Sequence, residues 1–228
     1  MKLRAVLFDW DGTLVHSMDA VLASYHDASE QVLGRAFPGS PEEIEKILPM
    51  RIEESMRSVA TNEQELKQLL SLYAEAYERN SVSLGRAFSG SVDTLRELRE
   101  KDFAIGVVTS KALARVRSDE ILYGLSDLID FFVTAESTAE RKPAPEPILF
   151  AVNQLGVLVE DTLFVGDGPQ DVIAGHAAGV KVVGAAYGSH GLAALESVSP
   201  EWIISDISEL MSVISAFEDG LLEIDGGL

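Results

Sequence analysis

Short apolar runs that stop abruptly at polar turns, spaced by segments of helical period, constrain this chain more than any other feature. The first run, Leu3 to Phe8, breaks off into Asp9-Trp10-Asp11-Gly12-Thr13. Later runs are Phe103 to Val108, ended by Thr109-Ser110-Lys111, then Phe131 to Val133, then Thr162 to Val165, ended by Gly166-Asp167-Gly168, and Val180 to Val183. Between them the spacing of apolar residues predicts helices over Val92–Glu100, Ala112–Tyr123, Glu146–Leu155 and Gln170–Ala178, with a last helix near Ile207–Phe217. Trp202-Ile203-Ile204 reads as an edge strand. Apolar strands alternating with helices predict an α/β fold whose parallel sheet is covered on both faces.

From Ser17 to Val82 no strand-like run interrupts the helical rhythm. Met18, Val21, Leu22, Tyr25, Ala28, Val32 and Leu33 recur at helix spacing, and Gly34 stops them. Ser40-Pro41 reads as a cap followed by a first-turn proline, and further helices are predicted over Ile52–Val59 and Glu63–Arg79. The segment therefore reads as a small helical bundle inserted into the α/β chain. The expected division is a core of residues 1–16 and 84–228 and a helical domain of residues 17–83, with hinges near Val15–Ser17 and Ser83–Phe88.

Bulk properties narrow the function classes. The 228 residues are 46% apolar, enough for a normal core, and the formal net charge is −19. A field of that sign opposes binding to nucleic acid or anionic lipid. No apolar run approaches the ~20 residues a membrane helix needs, and Asp9 and Asp11 interrupt the first run too early for a signal peptide. The absence of cysteine excludes disulfides and thiolate metal sites and fits a cytoplasmic protein. The expected partner is a small molecule, not nucleic acid or a membrane.

In an open parallel sheet, ligands bind beyond the C-terminal ends of the strands. The predicted strand ends deliver Asp9 and Asp11, then Thr109, Ser110 and Lys111, then Lys142 from a loop, then Asp167 with Asp171 four residues on. Strand alternation starts Asp9 and Asp11 on one side. Their repulsion must be offset by a cation or by a proton held on one of them. Carboxylates, hydroxyls and ammonium groups gathered this way suit phosphoryl transfer. Asp9 and Asp167 can hold a hard cation such as Mg²⁺, and a lysine can face phosphate oxygens. A threonine hydroxyl and the free N–H groups of the following helix can hold others. One aspartate can attack phosphorus, and the second can protonate the leaving oxygen and then activate water. Lys111 stands between two readings, a phosphate-facing cation and a solvated lysine at a helix start.

These stretches, in this order, resemble the motifs of the haloacid dehalogenase superfamily. Asp9-Trp10-Asp11-Gly12-Thr13 is similar to the first motif and Val108-Thr109-Ser110-Lys111 to the second. Arg141-Lys142-Pro143-Ala144-Pro145 is similar to the third and Val165-Gly166-Asp167-Gly168-Pro169-Gln170-Asp171 to the fourth. The insert falls where one branch carries a helical cap. The Lys-Pro-x-Pro stretch and Ala186-Tyr187-Gly188 resemble phosphoglycolate phosphatases and related pyrophosphatases most. The resemblance implies a Rossmann-like core and a Mg²⁺-dependent phosphatase acting on a small phosphorylated metabolite, as a monomer or homodimer. It implies that Asp9 is the nucleophile and a metal ligand, and that Asp11 is the acid–base and lends its backbone carbonyl to the metal. Thr109 and the Ser110 amide bind the phosphoryl group, Lys142 steadies nucleophile and phosphate, and Asp167 ligates the metal with Asp171 in support.

Three positions depart from the pattern: His16 where an acidic residue is frequent, Trp10 where an aliphatic one is usual, and Gly168 in place of a common serine. His16 and Trp10 bear on substrate identity rather than reaction type. His16 and Arg51 are candidate substrate contacts. A sugar-phosphate mutase or an inorganic pyrophosphatase on the same core are the alternatives, and a non-catalytic phosphate-binding regulatory protein is the alternative of a different class. A carbon–halogen dehalogenase does not need Asp11.

Overall fold

A computed structural model describes residues 2–48 and 50–219. By its internal contacts the chain forms two compact units, one of Met1–His16 with Ala87–Leu228 and one of Ser17–Arg86.

The first unit is built on strands β1 (Ala5–Phe8), β4 (Ala104–Val108), β5 (Phe131–Val133), β6 (Thr162–Gly166), β7 (Lys181–Ala185) and β8 (Trp202–Ile204). They form one sheet in the order β5-β4-β1-β6-β7-β8, and every pairing is parallel. Two short strands, β2 (Val15–His16) and β3 (Arg86–Ala87), pair in a separate sheet. Ser83 and Leu84, assigned above to a hinge, belong to a helix instead.

Side-chain alternation explains why the central strands are apolar throughout. Val6 and Phe8 of β1, Ile105 and Val107 of β4, and Leu163 and Val165 of β6 enter one core layer. Leu7, Val108 and Phe164 enter the layer on the other face. The first layer is closed by Leu95 and Leu98 of α5 (Ser91–Glu100), Val116 of α6 (Leu113–Leu122) and Ile214 and Phe217 of α10 (Leu210–Glu218). The second is closed by Ile148, Ala151 and Val152 of α7 (Glu146–Leu155) and Ala174 and Ala178 of α8 (Pro169–Ala178). Each fully buried aliphatic or aromatic side chain contributes on the order of 2 kcal/mol. β1 therefore lies in the middle of the sheet with no face toward water, and its C-terminal end is held between β4 and β6. A short helix, α9 (Gly191–Glu196), was not foreseen; at six residues it is too short to show a helical period.

The helical unit contains α1 (Met18–Leu33), α2 (Pro41–Ile47), α3 (Ile52–Arg57) and α4 (Glu63–Leu84). Tyr25, Tyr73, Tyr77, Met56 and Leu69 form its centre, with Tyr25 edge-on to Tyr73 at 5.1 Å between ring centroids. α4 continues past the expected end at Arg79 through Asn80-Ser81-Val82-Ser83, residues that rank low for helix formation. Packing decides the outcome: Asn80 Nδ2 donates to Ser24 Oγ and Asp27 Oδ2 of α1, each at 3.2 Å, and Ser81 is buried. Among the described residues no helix is long and apolar enough to cross a membrane.

A close approach of helix to sheet offers a direct test. A β-carbon on Gly175 of α8 would sit 2.3 Å from Val182 Cγ2 of β7. Gly175→Val is expected to destabilise the protein by about 1–3 kcal/mol through overpacking. Urea unfolding checks this, and an unchanged midpoint would show that α8 and β7 separate without cost.

Candidate active site

Register brings the sequence-distant motifs to one edge. Phe8 lies opposite Val107 on one side and Val165 on the other, so the residues that follow β1, β4 and β6 emerge together. The Asp9 N–H donates to the Val165 carbonyl at 2.8 Å, which holds the first carboxylate to the sheet by its own backbone.

Lys142 joins these ends. Its ammonium has three N–H bonds and three oxygens around it: the Val108 carbonyl at 2.9 Å, Asp9 Oδ1 at 2.9 Å and Asp171 Oδ1 at 2.6 Å. Lys142, Asp9 and Asp171 are all buried. Burial alone would push the ammonium down, but Asp171 and Asp9 more than reverse this and hold it above the ordinary lysine value. Lys142 is therefore charged. Asp9 moves the other way. Burial, aided by the negative charges of Asp171 and Asp167, outweighs the pull of Lys142 and raises its carboxyl to about 8.

Asp171 occupies the first turn of α8, where the Gly168 N–H donates to Oδ2 at 3.0 Å. It thus satisfies an otherwise unpaired helix-start donor and leaves Oδ1 to the site. Asp167 is enclosed by backbone. Gly12 turns with φ +85°, and a β-carbon there would sit 2.2 Å from Asp167 Oδ2; a β-carbon on Gly188 would sit 2.2 Å from Asp167 Cβ. The first position also demands glycine for its left-handed conformation. Asp167 Oδ2 accepts the Ser189 N–H at 2.8 Å and lies 3.3 Å from His190 Nδ1. Burial raises the Asp167 carboxyl. Burial also disfavours the His190 imidazolium, but Asp167, with Asp171 and Asp9 beyond it, holds the ring above its ordinary value.

The carboxylates of Asp9, Asp167 and Asp171 each offer an oxygen within 4.8 Å of the others. An all-oxygen, buried donor set with surplus negative charge fits a hard divalent cation. The backbone cradle of Gly12 and Gly188 leaves no room for a larger side chain beside it.

Asp11 belongs to a second cluster. Lys111 Nζ lies 2.8 Å from Asp11 Oδ1 and 2.6 Å from Asp119 Oδ2. The Trp10 indole N–H donates to the same Asp119 oxygen at 3.3 Å. The lysine side chain is 8% exposed and that of Asp119 is 2% exposed, so Lys111 is not a solvated helix-start residue. Burial raises the Asp119 carboxyl, against the pull of Lys111.

The remaining candidates separate. Thr109 is buried at the end of β4 and its Oγ1 accepts the Lys111 N–H at 3.1 Å; Ser110 beside it is exposed. His16 sits in β2, edge-on to Phe88 at 5.3 Å. Arg51 is an exposed residue preceding α3 in the helical unit, with its N–H donated to Glu54 Oε2 at 3.1 Å. Trp10 points into the core. It is fully buried in the first core layer, edge-on to Phe132 at 6.0 Å. Strand alternation already contained that signal: if Asp9 and Asp11 share one side, the residue between them points to the other. Asp119 and His190 were missed because no local spacing ties either residue to the strand ends.

Known proteins resemble this chain along its length. It is 29% identical over 223 residues to the phosphoglycolate phosphatase of Haemophilus influenzae, covering 93% of this chain and 99% of that protein. It is 29% identical over 217 residues to the pyrophosphatase PpaX of Bacillus cereus, covering 94% and 98%. The fold matches the crystal structure of a predicted phosphoglycolate phosphatase from Haemophilus somnus with a TM-score of 0.80 at 24% identity, over 93% of this chain and 98% of that one. Residues 6–185 match the family described as haloacid dehalogenase-like hydrolase, a span that runs from the strand before Asp9 past Asp171, and the chain is a hydrolase of that family.

Proposed function

We propose that the protein is a Mg²⁺-dependent phosphatase that hydrolyses a small phosphate monoester, of the phosphoglycolate kind, through an aspartyl-phosphate on Asp9. The observation that carries this reading is the buried Lys142 ammonium between Asp9 and Asp171, with Asp167 beside them. A fixed positive charge next to one carboxylate of a cation-binding set suits attack on an anionic phosphoryl group.

In the first step an Asp9 oxygen bonds to phosphorus, the ester P–O bond breaks, and Asp11 gives a proton to the leaving oxygen. In the second step water attacks the same phosphorus, Asp11 takes a proton from that water, and the bond to Asp9 breaks to release phosphate. Thr109 and the Ser110 amide hold phosphoryl oxygens, and Lys142 keeps Asp9 aligned. Asp9, Asp167 and Asp171, with the backbone carbonyl of Asp11, would hold Mg²⁺, which supplies neutralisation of the charge on the transferring group. In this reading the helical unit acts as a substrate-selecting cap, and Arg51 of that unit and His16 of the core are substrate contacts. The substrate is a metabolite and not nucleic acid or a membrane, and the setting is cytoplasmic. Pyrophosphate is the second reading, favoured by the similarity to pyrophosphatases of the PpaX kind.

A phosphate-release screen over phosphorylated metabolites, pyrophosphate included, tests the proposal. Asp9→Asn is expected to lower turnover by at least about 10³-fold, because the amide is a poor nucleophile; a near-normal rate would refute the covalent route. Mg²⁺ is expected to raise the melting temperature of the wild type, by the equivalent of about 2.7 kcal/mol at a hundredfold excess over its Kd. Asp167→Asn should flatten that response, and an undiminished response removes Asp167 from the metal site.

The raised Asp9 carboxyl gives a further test in chelator. Its folded value is about 8 against an ordinary 3.8. Between those values the folded protein keeps a proton that the unfolded chain has released. This group's contribution to stability therefore falls as pH rises from about 4 to about 8. Asp9→Asn removes that loss. The variant is expected to melt above the wild type at pH 8, with the difference closing toward pH 4. A variant melting below the wild type at pH 8 contradicts the burial-driven shift.

A further inference from the structure

Asp119 lies on α6, away from the four motif segments, yet two of its carboxylate's partners come from turns that carry the site. One is the Trp10 indole N–H, from the residue between Asp9 and Asp11, and the other is Lys111 Nζ, two residues past Thr109. The Lys111 ammonium is shared between Asp119 at 2.6 Å and Asp11 at 2.8 Å. Stability does not account for such an arrangement. Taking an ion pair out of water costs about what the pairing returns, and apolar residues of similar volume generally serve a core as well or better. The cluster does give geometric restraint. An ammonium on one oxygen of Asp11 limits rotation of that carboxylate. Lys111 is itself held from behind by a carboxylate that is almost wholly buried.

We propose that Asp119 is a positioning residue of the reaction: it holds Lys111 against Asp11 and so fixes the plane of the carboxylate that exchanges a proton with the leaving oxygen. The proposal rests on the functional reading above, in which Asp11 is the acid–base. It makes a distinction that a merely structural role does not. Proton delivery matters for an alkoxide leaving group and little for a phenolate that is stable in water. Loss of Asp119 should therefore depend on the leaving group.

The experiment follows leaving-group release in single turnovers with enzyme in excess, which reads only the first step. The substrates are the alkyl phosphate that the wild type hydrolyses fastest and p-nitrophenyl phosphate. Asp119→Asn is nearly isosteric and removes the charge that holds Lys111. It is expected to lower the maximal rate by about 10–100-fold on the alkyl ester, the scale of a misplaced proton donor. On the aryl ester the rate should stay within about threefold, and half-saturation should hardly move on either. Lys111→Met, which keeps the stem and removes the ammonium, should reproduce the pattern if Asp119→Asn does not fold. The double variant should be no slower than the worse single one, because the two residues act as one unit. An equal loss on both esters, a loss confined to half-saturation, or no loss overturns the positioning role. So does a wild type that cleaves no alkyl ester. Asp9→Asn is run alongside. If it retains turnover, the covalent reading falls and this proposal with it; if it is inactive while the Asp119 variants show no selectivity, only this proposal falls.

Discussion

A single buried ammonium organises this protein. Lys142 meets the backbone of β4, the carboxylate that follows β1 and the carboxylate in the first turn of α8. Without that charge, Asp9 and Asp171 would repel one another, and burial already disfavours the ionised form of Asp9. With it, one carboxylate on each side of the ammonium can stay close, and Asp167 completes a set of oxygens in reach of one another. The compensation is incomplete: Asp9, Asp11, Asp119 and Asp171 stand around the two lysines, and Asp167 beside them faces His190. Surplus negative charge of this kind is what a divalent cation relieves.

The two lysines divide the work of the site spatially. Lys142 serves the side of Asp9, and Lys111 serves the side of Asp11. The two aspartates leave β1 one residue apart, yet each meets a different cation. The side chain between them, Trp10, turns into the core on the opposite face and reaches back by its N–H to Asp119. Alternation leaves Asp9 and Asp11 on one side of the chain, and it is the two different lysines that give them different surroundings.

The parallel sheet was legible because strands buried on both faces read as continuous apolar runs: every strand of the main sheet starts and stops within two residues of the expected position. That Asp9, Lys142, Asp167 and Asp171 come together was legible because the segments following the strands of such a sheet meet along one edge. What eluded the sequence depends on contacts between distant segments. Helix α4 runs on past Arg79 because Asn80 bonds to α1, which outweighs weak intrinsic preference. Asp119 sits in a helix that exposes Leu113, Ile121 and Leu122, so no clean apolar face marks it for burial, and only the fold turns it toward Lys111. His190 follows a turn whose meaning lies in the Asp167 oxygen it faces. Lys111 was visible as a residue but not as a buried one, since its partners Asp119 and Asp11 come from distant segments.

The bond from Lys142 to the Val108 carbonyl is made to main chain. Every amino acid at position 108 presents that same oxygen, so no substitution there deletes the acceptor. Packing in the two core layers constrains which side chain stands there, while the seat of the ammonium survives any substitution at that position that leaves the β4 backbone in place.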